Sequence, residues 1–315
     1  LKKIMNEILV FGGCGYVGSR LVEKLLDKGF KVTVFDLLIF GNYLSSHENL
    51  KVIKGDILDY ENLRSALRGH EIIIHCAGVA GINTVGKSPV STMKVNIQGT
   101  FNLFDAILDV APGCERVVLF STSEVFGDQA LQAADEDHAS VSTVWQSRWS
   151  YASSKLAEEH IGASYFLEKK IPTVVLRPFN IFGVGQIGEG AIKKFIEKAL
   201  ANKTVSIFGD GSQIRSWCYV SDMVDGIIRS IASEKAIGES FNIGNPSNTL
   251  SILELAQKVI LASNSTSKIQ FEKELQSDIQ ARKPDIRKAK RLLGFHPKVT
   301  LTEGLQIMLS ASSHV

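Results

Sequence analysis

The sequence predicts an α/β fold, a doubly wound parallel sheet with a smaller C-terminal domain, and two observations support this prediction. In the first half of the chain, short apolar runs alternate with stretches of helical spacing, which is typical of βαβ units with helices on both faces of a sheet. After Pro178 this alternation stops and glycines cluster. We therefore expect one domain over 1–178 and a second mainly over 179–315, with parts of 214–245 returning to the first.

The individual elements follow from local patterns. The first predicted strand, 8–11, is wholly apolar and ends in glycines, as buried parallel strands do. The next helix carries apolar residues at helical spacing until Gly29 ends it. Further strands are predicted where apolar and β-branched residues run together, at 31–35, 51–53, 71–74, 116–120 and 173–176. Further helices are predicted at 60–67, 95–108, 191–201 and 252–261.

A glycine-rich turn follows the first predicted strand. Gly12, Gly15 and Gly18 form a G-x-x-G-x-x-G motif that encloses Tyr16 and Val17. Glycines at this point let backbone N–H groups approach a pyrophosphate, and the helix that follows directs its positive N-terminal end at the same anion. Since the motif joins a strand to an amphipathic helix at the start of a βαβ unit, it predicts a Rossmann-type dinucleotide site.

The acidic residue at the end of the second strand indicates which dinucleotide binds. A carboxylate at Asp36 can accept hydrogen bonds from an adenosine ribose and would repel a 2′-phosphate, and 37–39 contain no arginine to receive one. The sequence therefore favours NAD over NADP, against the alternative that Asp36 is only a turn residue. Asp56 and Ile57 after the third strand, and Ala77 after the fourth, are expected to line the same cofactor.

Catalytic chemistry is indicated by two further groups of residues. Tyr151 and Lys155 are four apart, so they share one face of a helix, and a nearby ammonium lowers the pKa of a phenol. A phenolate can take the proton of a sugar hydroxyl. After the fifth strand, the Thr122 hydroxyl is placed to hydrogen-bond the reacting oxygen and Glu124 to act as a second acid or base. A chance Tyr-x-x-x-Lys pair and a Ser/Thr-rich turn are the alternative interpretations.

Taken in order, these motifs resemble the extended short-chain dehydrogenase/reductase family from about residue 6 to the end of the chain. The matching features are Gly12-x-x-Gly15-x-x-Gly18, Asp36, Thr122, Tyr151-x-x-x-Lys155, and the segments 176–183 and 209–215. The family contains nucleotide-sugar epimerases, dehydratases and decarboxylases, so the resemblance implies an NAD-dependent enzyme of this kind. One departure is Val184, where the family often has proline.

The resemblance also implies roles for single residues. It makes Tyr151 the base, Lys155 its activator and a contact to the cofactor ribose, and Thr122 a hydrogen-bonding partner of the substrate. It further implies that Asn180, Arg215 and Arg282 contact the nucleotide diphosphate or the sugar. Members are usually homodimers that associate through a helix bundle, which here would use 95–108 and 151–168.

Three reactions remain open, and each begins with oxidation at C4 of the sugar. Dehydratases resembling this chain carry Thr-Asp-Glu, whereas Ser123 is a poor acid that we expect to bind substrate, so dehydration is disfavoured. Arg148, Arg215 and the segment 282–286 resemble decarboxylases of UDP-glucuronate, and the loop 77–81 resembles epimerases. We expect a C4-epimerase of a UDP-hexose or UDP-hexuronate, with decarboxylation as the nearest alternative. The loops 80–89 and 129–146 are expected to shape the sugar pocket.

Composition disfavours several other classes. A net charge of +2 gives no electrostatic footprint for nucleic acid. The four cysteines form no C-x-x-C pair and no metal-ligand spacing, so we expect free thiols, no metal site and a cytoplasmic location. Neither a signal segment nor a membrane span is expected. A non-catalytic NAD(H) sensor and an NADPH-dependent reductase are remote alternatives, since a sensor needs no phenolate base and Asp36 disfavours NADPH.

Overall fold

The structure is a computed structural model that describes residues 7–127, 133–134, 139–141, 143–188, 190–273 and 279–312, with 82–83 and 133–134 described in their backbone alone. Of the expected pocket loop 129–146, the parts 129–132, 135–138 and 142 lie outside the described residues. None of the helices in the described segments is both long and apolar enough to cross a membrane.

The strands, in chain order, are β1 Glu7–Phe11, β2 Lys31–Asp36, β3 Leu50–Lys54, β4 Ile72–His75, β5 Arg116–Phe120, β6 Ala133–Ala134, β7 Thr173–Pro178, β8 Ile181–Phe182, β9 Val205–Phe208, β10 Ile214–Ser216, β11 Cys218–Tyr219, β12 Ser240–Ile243, β13 Thr249–Ser251, β14 Ile269–Glu272 and β15 Ala281–Pro284. The α-helices are α1 Tyr16–Asp27, α2 Tyr60–Leu67, α3 Ile82–Lys87, α4 Pro89–Met93, α5 Gly99–Val110, α6 Trp149–Lys169, α7 Ala191–Leu200, α8 Val220–Ala232, α9 Ile252–Ala262, α10 Arg287–Leu293 and α11 Leu301–Ser312. Short 3₁₀ turns lie at Ser123–Phe126, Glu234–Ala236 and Pro246–Asn248.

The main sheet has the strand order β12-β7-β5-β4-β1-β2-β3, and every pair in it is parallel. The order reverses between β1 and β4, which is the point where open α/β sheets bind ligands beyond the carboxyl ends of their strands. Helices lie between consecutive strands of this sheet from β1 to β7, except between β2 and β3, and the predicted Rossmann-type fold class is confirmed.

Helices cover both faces of this sheet, and the two-residue period of the strands decides what each face contacts. Ile8 and Val10 of β1 point into a cluster with residues of α1 and α8, whereas Leu9 and Phe11 point to the other face, where α2, α5 and α6 pack. All four side chains are fully buried. The continuous apolar character of β1 is therefore the result of burial on both faces.

The C-terminal region is built around a second apolar cluster formed by α7, α9 and α11. It contains a four-stranded sheet of order β13-β10-β15-β6 and two strand pairs, β8–β11 and β9–β14. The chain also returns to the main sheet, because α8 packs beside α1 and β12 pairs with β7 at the sheet edge. This second region carries residues to the open end of the main sheet.

The segment predicted as one helix over 95–108 begins differently from expectation. Lys94–Gln98 forms a π-helical turn, and α5 follows without a break. In this turn Asn96 is fully buried and its amide is aimed at the loop after β4, where it accepts the N–H of Val79 at 2.8 Å. The wider turn thus serves a tertiary contact that helical periodicity does not encode, as π-turns near functional sites often do.

Candidate active site

The glycine turn after β1 is shaped by close backbone contacts. Gly12 has a φ of 77°, and a Cβ atom there would lie 2.6 Å from the N atom of Ala77. A Cβ atom at Gly18 would lie 2.2 Å from the carbonyl oxygen of Gly12. Side chains at these positions would push α1 and the loop after β4 off the turn. The turn therefore leaves its space open for a ligand at the N-terminus of α1, which begins at Tyr16.

Two carboxylates lie beside this turn at the ends of β2 and β3. Asp36 accepts the N–H of Cys14 at 2.9 Å on one oxygen and that of Leu38 at 2.7 Å on the other. Each oxygen retains a second lone pair, which suits the two hydroxyls of a ribose. Asp56 accepts the N–H of Leu58 at 2.9 Å. The open turn and the oriented carboxylate together fit a dinucleotide.

Of the other expected cofactor residues, Tyr16, Val17 and Ala77 lie at the same turn, whereas Ile57 packs beside α5. The Tyr16 hydroxyl is buried without a hydrogen-bond partner in the described part of the chain, and burial raises its pKa. Val17 packs on the cluster under α1, and Ala77 touches the turn. Ile57 is buried beside Gly99, and its carbonyl oxygen accepts a hydrogen bond from Asn102 at 3.0 Å. Their cofactor contacts stay predictions.

Tyr151 and Thr122 meet at the carboxyl end of β5. Tyr151 lies in the first turn of α6, and its phenol hydrogen-bonds the Thr122 side chain. Burial, helped by the negative charges of Glu124 and Glu158, raises the pKa of Tyr151, while the Thr122 hydrogen bond and Arg282 oppose this shift. The phenol needs further positive charge before it can act as a base.

Lys155 supplies a positive charge one helical turn after Tyr151. It is buried, and its Nζ donates to the Phe120 carbonyl oxygen at 2.9 Å and to the Glu158 carboxylate at 3.0 Å. A Cβ atom at Gly78 would lie 3.2 Å from this Nζ, so the loop after β4 passes close to it. Lys155 therefore lies where the ends of β4 and β5 approach the cofactor turn. Glu158 was not predicted from the sequence, although its spacing of three from Lys155 was visible.

The C-terminal sheet adds an arginine to this group. Arg282 Nη1 lies 3.6 Å from Glu124 Oε1, and the side chains are 6% and 18% exposed. Arg215 on β10 is the register partner of Arg282 on β15, so the two arginines are neighbours on one face of that sheet. Ser123 is buried between Thr122 and Glu124 in the turn after β5. Residues far apart in sequence thus form one cluster, defined by Thr122, Glu124, Tyr151 and Arg282, which we call the Tyr151 cluster.

Asn180 and Arg148 have described contacts outside this cluster. Asn180 has a φ of 39°, and its amide donates to the Ser216 carbonyl oxygen at 2.8 Å, which ties β10 to the end of β7. The Arg148 guanidinium lies over the Trp149 ring, 4.5 Å from its centroid. The expected substrate contacts of both residues stay predictions.

Some buried polar residues that support the site had no sequence motif. Asn96 donates to Ser154 Oγ at 2.9 Å, which ties the π-turn to α6 between Tyr151 and Lys155. Arg177 on β7 donates to Glu159 of α6 at 2.6 Å, and both are buried. Within the described segments, no three His, Cys, Asp or Glu residues are grouped to hold a metal ion.

Comparisons with known proteins agree with this geometry. A family model described as the NAD dependent epimerase/dehydratase family matches residues 8–244. A UDP-N-acetyl-alpha-D-glucosaminuronate decarboxylase from Bacillus cytotoxicus is 34% identical over 96% of both chains. A UDP-glucuronic acid decarboxylase from Danio rerio is 35% identical over 96% of this chain and 72% of its own length. The crystal structure of a UDP-glucuronic acid 4-epimerase from Bacillus cereus, with UDP-glucuronic acid and NAD, superposes with a TM-score of 0.88 at 28% identity, covering 98% and 99% of the two chains.

Proposed function

The chain belongs to the NAD-dependent epimerase/dehydratase family, its cofactor is NAD, and from this premise we propose that it decarboxylates a UDP-linked hexuronate. The sequence alone favoured C4-epimerisation over this reaction. The observation that carries the proposal is the 3.6 Å contact between Glu124 and Arg282 in the Tyr151 cluster. It brings a guanidinium, the preferred partner of a carboxylate, to the residues that would oxidise C4.

The first step is proton removal from the C4 hydroxyl. Tyr151 is the base, and Thr122, which already hydrogen-bonds the phenol, holds the hydroxyl oxygen. Lys155 lies one turn along the same helix and favours the phenolate. Bound NAD would accept the hydride of C4, would return it to the C4 ketone after the carboxylate is lost, and would add the positive charge of the nicotinamide ring. The dinucleotide's ribose and pyrophosphate would be held by Asp36 and the glycine turn.

The second step follows from the chemistry of the oxidised sugar. With a ketone at C4, the C6 carboxylate is β to a carbonyl group, so the C5–C6 bond can break and its electron pair can move to the C4 oxygen. Carbon dioxide leaves, and C5 takes up a proton. Arg282 and Arg215 orient the carboxylate, and the Tyr151 phenol, protonated in the first step, donates a hydrogen bond to the enolate oxygen. Glu124 is the carboxyl group in the cluster that would pass a proton to C5, and it must first take that proton up from solvent.

C4-epimerisation of a UDP-hexuronate is the second candidate. It uses the same Thr122 and Tyr151 pair and needs no acid beyond them, and a solved epimerase with UDP-glucuronic acid shares the fold over nearly the whole chain. In epimerisation the keto-sugar rotates in the site and takes the hydride back on its other face. In decarboxylation it loses its carboxylate first. Dehydration is disfavoured, because Ser123 stands where an acid is needed to expel the C6 hydroxyl.

The test is to incubate the purified protein with UDP-glucuronate or UDP-N-acetylglucosaminuronate, without added NAD, and to follow the sugar by NMR and the release of carbon dioxide. A UDP-pentose or its 4-keto form with stoichiometric carbon dioxide supports the proposal. A 4-epimeric uronate without carbon dioxide would establish the second candidate. No change in either substrate, from protein that retains NAD, would reject both. The matched control is Tyr151→Phe, which keeps NAD and removes the base.

We also propose that two copies associate through α5 and α6. Both helices expose apolar side chains, Phe101 and Leu108 on α5 and Leu167 on α6, and Val90 on α4 is 80% exposed. A second copy would cover this surface in a bundle of helices. Sedimentation analysis tests this, since Phe101→Glu with Leu108→Glu should give monomers, whereas the exposed Leu261→Glu on α9 should not.

A further inference from the structure

A buried carboxylate lies against Lys155, close enough for its charge to act on Tyr151 as well. Glu158 is 1% exposed, and both of its oxygens lie 3.0 Å from the Lys155 Nζ. The Phe120 carbonyl oxygen accepts another Nζ proton at 2.9 Å. The ammonium is therefore fixed by the protein on two sides, and the direction in which it faces the cofactor is set before any ligand binds.

The network continues from Glu158 into α5 and β4. Thr100 is fully buried and hydrogen-bonds the Glu158 carboxyl group. Its Oγ1 also lies 2.7 Å from the Asn96 carbonyl oxygen and 3.5 Å from His75 Nε2. A hydroxyl has one proton to donate. When Glu158 is ionised, Thr100 can donate this proton to the carboxylate. When Glu158 is protonated, Thr100 can donate to the Asn96 carbonyl oxygen and accept the proton of the carboxyl group. Both protonation states of Glu158 therefore have a partner at Thr100.

The charged groups around Glu158 come from three elements. On α6, Lys155 favours the ionised form of Glu158, while Glu159 and Tyr151 oppose a further negative charge beside them. Glu159 forms an ion pair of its own with Arg177 of β7 at 2.6 Å. On β4, burial lowers the pKa of His75 to about 3, so this ring is neutral, and burial raises the pKa of the neighbouring Cys76 thiol. Burial raises the pKa of Glu158 to about 7 in spite of Lys155.

We propose that Glu158 is a positioning residue that acts through Lys155: it holds the ammonium against the Phe120 carbonyl and thereby sets how strongly Lys155 favours the Tyr151 phenolate. An ionised Glu158 cancels part of the lysine's charge and also acts on the phenol with its own negative charge, so Tyr151 keeps its proton. A protonated Glu158 leaves that charge undiminished, and the phenolate forms at lower pH. This inference rests on the proposed role of Tyr151 as the base.

The test is a pH titration of the Tyr151 phenolate in the NAD-bound protein, read as ultraviolet difference absorbance between proteins with and without Tyr151→Phe. Glu158→Gln removes the charge and keeps the shape, so the pKa of Tyr151 should fall by about one pH unit. Glu168→Gln, on the exposed face of the same helix and 72% exposed, is the matched control and should cause no shift. Because no substrate is turned over, this readout stands even if the proposed decarboxylation fails.

A second variant covers the outcome that Glu158→Gln does not fold. Thr100→Val removes the hydroxyl that stabilises the ionised carboxylate, so the Tyr151 titration should shift in the same direction by a smaller amount, and Thr100→Ser should restore it. In turnover, Glu158→Gln should move the acidic limb of the kcat profile to lower pH and leave KM unchanged. An unchanged Tyr151 titration in Glu158→Gln, or in Thr100→Val if only that variant folds, would overturn the proposal.

Discussion

Glu124, in the turn after a central strand of the main sheet, and Arg282, on a strand of the C-terminal sheet, form an ion pair at 3.6 Å in which both side chains are largely buried. This contact links the region that would hold the cofactor to the region that would hold the sugar. Because burial makes an unpaired charge costly, each partner constrains the other. The pair is therefore the most direct place to test how the two regions cooperate.

Removing one member of this pair should cost more than removing both. Arg282→Gln leaves the Glu124 carboxylate without its buried partner, and we expect a loss of about 3 kcal/mol in the free energy of unfolding. The double variant Glu124→Gln with Arg282→Gln should recover part of that loss. Urea unfolding of the parent protein, the single variants Arg282→Gln and Glu124→Gln, and the double variant measures the coupling. Strictly additive losses would contradict the pairing.

A different substitution at Arg282 separates cofactor binding from chemistry. Arg282→Lys keeps the charge but loses the planar guanidinium that matches a carboxylate, so carbon dioxide release should fall about 100-fold. NAD content should be unchanged, since Arg282 lies outside the cofactor turn. Carbon dioxide assays and the absorbance of released NAD measure the two effects. Undiminished decarboxylation in Arg282→Lys would argue against Arg282 as the carboxylate ligand.

Tyr151→Phe should reduce turnover by about 10³-fold or more, because the chemical step loses its base. The cofactor should remain bound, since Lys155 is held by Phe120 and Glu158 rather than by the phenol. The variant is compared with Tyr43→Phe, whose side chain is 73% exposed and which should behave as the parent protein. If Tyr151→Phe turned over substrate at the parent rate, the proposed base would be wrong.

Gly18→Ala should weaken NAD binding and destabilise the protein by about 1–3 kcal/mol. The added Cβ atom would lie 2.2 Å from the Gly12 carbonyl oxygen, so α1 must move away from the turn. Gly86→Ala in α3 is the matched control, because a Cβ atom there meets nothing within 4 Å. It should be neutral or slightly stabilising. Thermal unfolding and NAD content are the measurements, and equal behaviour of the two variants would contradict this account of the turn.

His75 should make the protein sensitive to acid. Burial lowers the pKa of His75 from 6.5 to about 3, so between these values the unfolded chain binds a proton that the folded chain does not. Stability present above pH 6.5 is therefore lost as the pH falls, by about 1.4 kcal/mol per pH unit at most. The pKa of Glu158 is raised from 4.5 to about 7 in the folded chain, so between these values the folded chain binds the additional proton. The contribution of Glu158 to stability therefore rises as the pH falls through this range. Tm measured against pH should fall less steeply in His75→Gln than in the parent protein.

The sequence was informative where a structure is decided locally. The apolar runs of β1 and β5 are buried on both faces, so their composition alone identifies them. The glycine turn is equally local, because Gly12 and Gly18 touch each other's backbone. Such features depend on neighbours within a few residues, which a sequence pattern can capture.

Features decided by distant partners could not be read in the same way. Strand β12 is only four residues long and is held at the sheet edge by pairing with β7, so the periodicity of the sequence does not predict it. The π-turn before α5 exists because Asn96 contacts the loop after β4. Glu158 and Glu159 are adjacent, and only the packing of α6 shows that one meets Lys155 and the other Arg177. Arg282 was named by resemblance, but its contact with Glu124 needs the assembled C-terminal sheet.

The position of Arg282 also fixes an order of events during synthesis of the chain. All strands of the main sheet have left the ribosome once Ile243 has emerged, but the core on one face of that sheet is still incomplete, because Ile286, Leu293 and Phe295 belong to it and are made later. The guanidinium that completes the Tyr151 cluster is still unmade, because β15 follows much later in the chain. The last segment of the chain therefore completes both the core beside the cofactor turn and the Tyr151 cluster, so neither is finished until the final elements have joined.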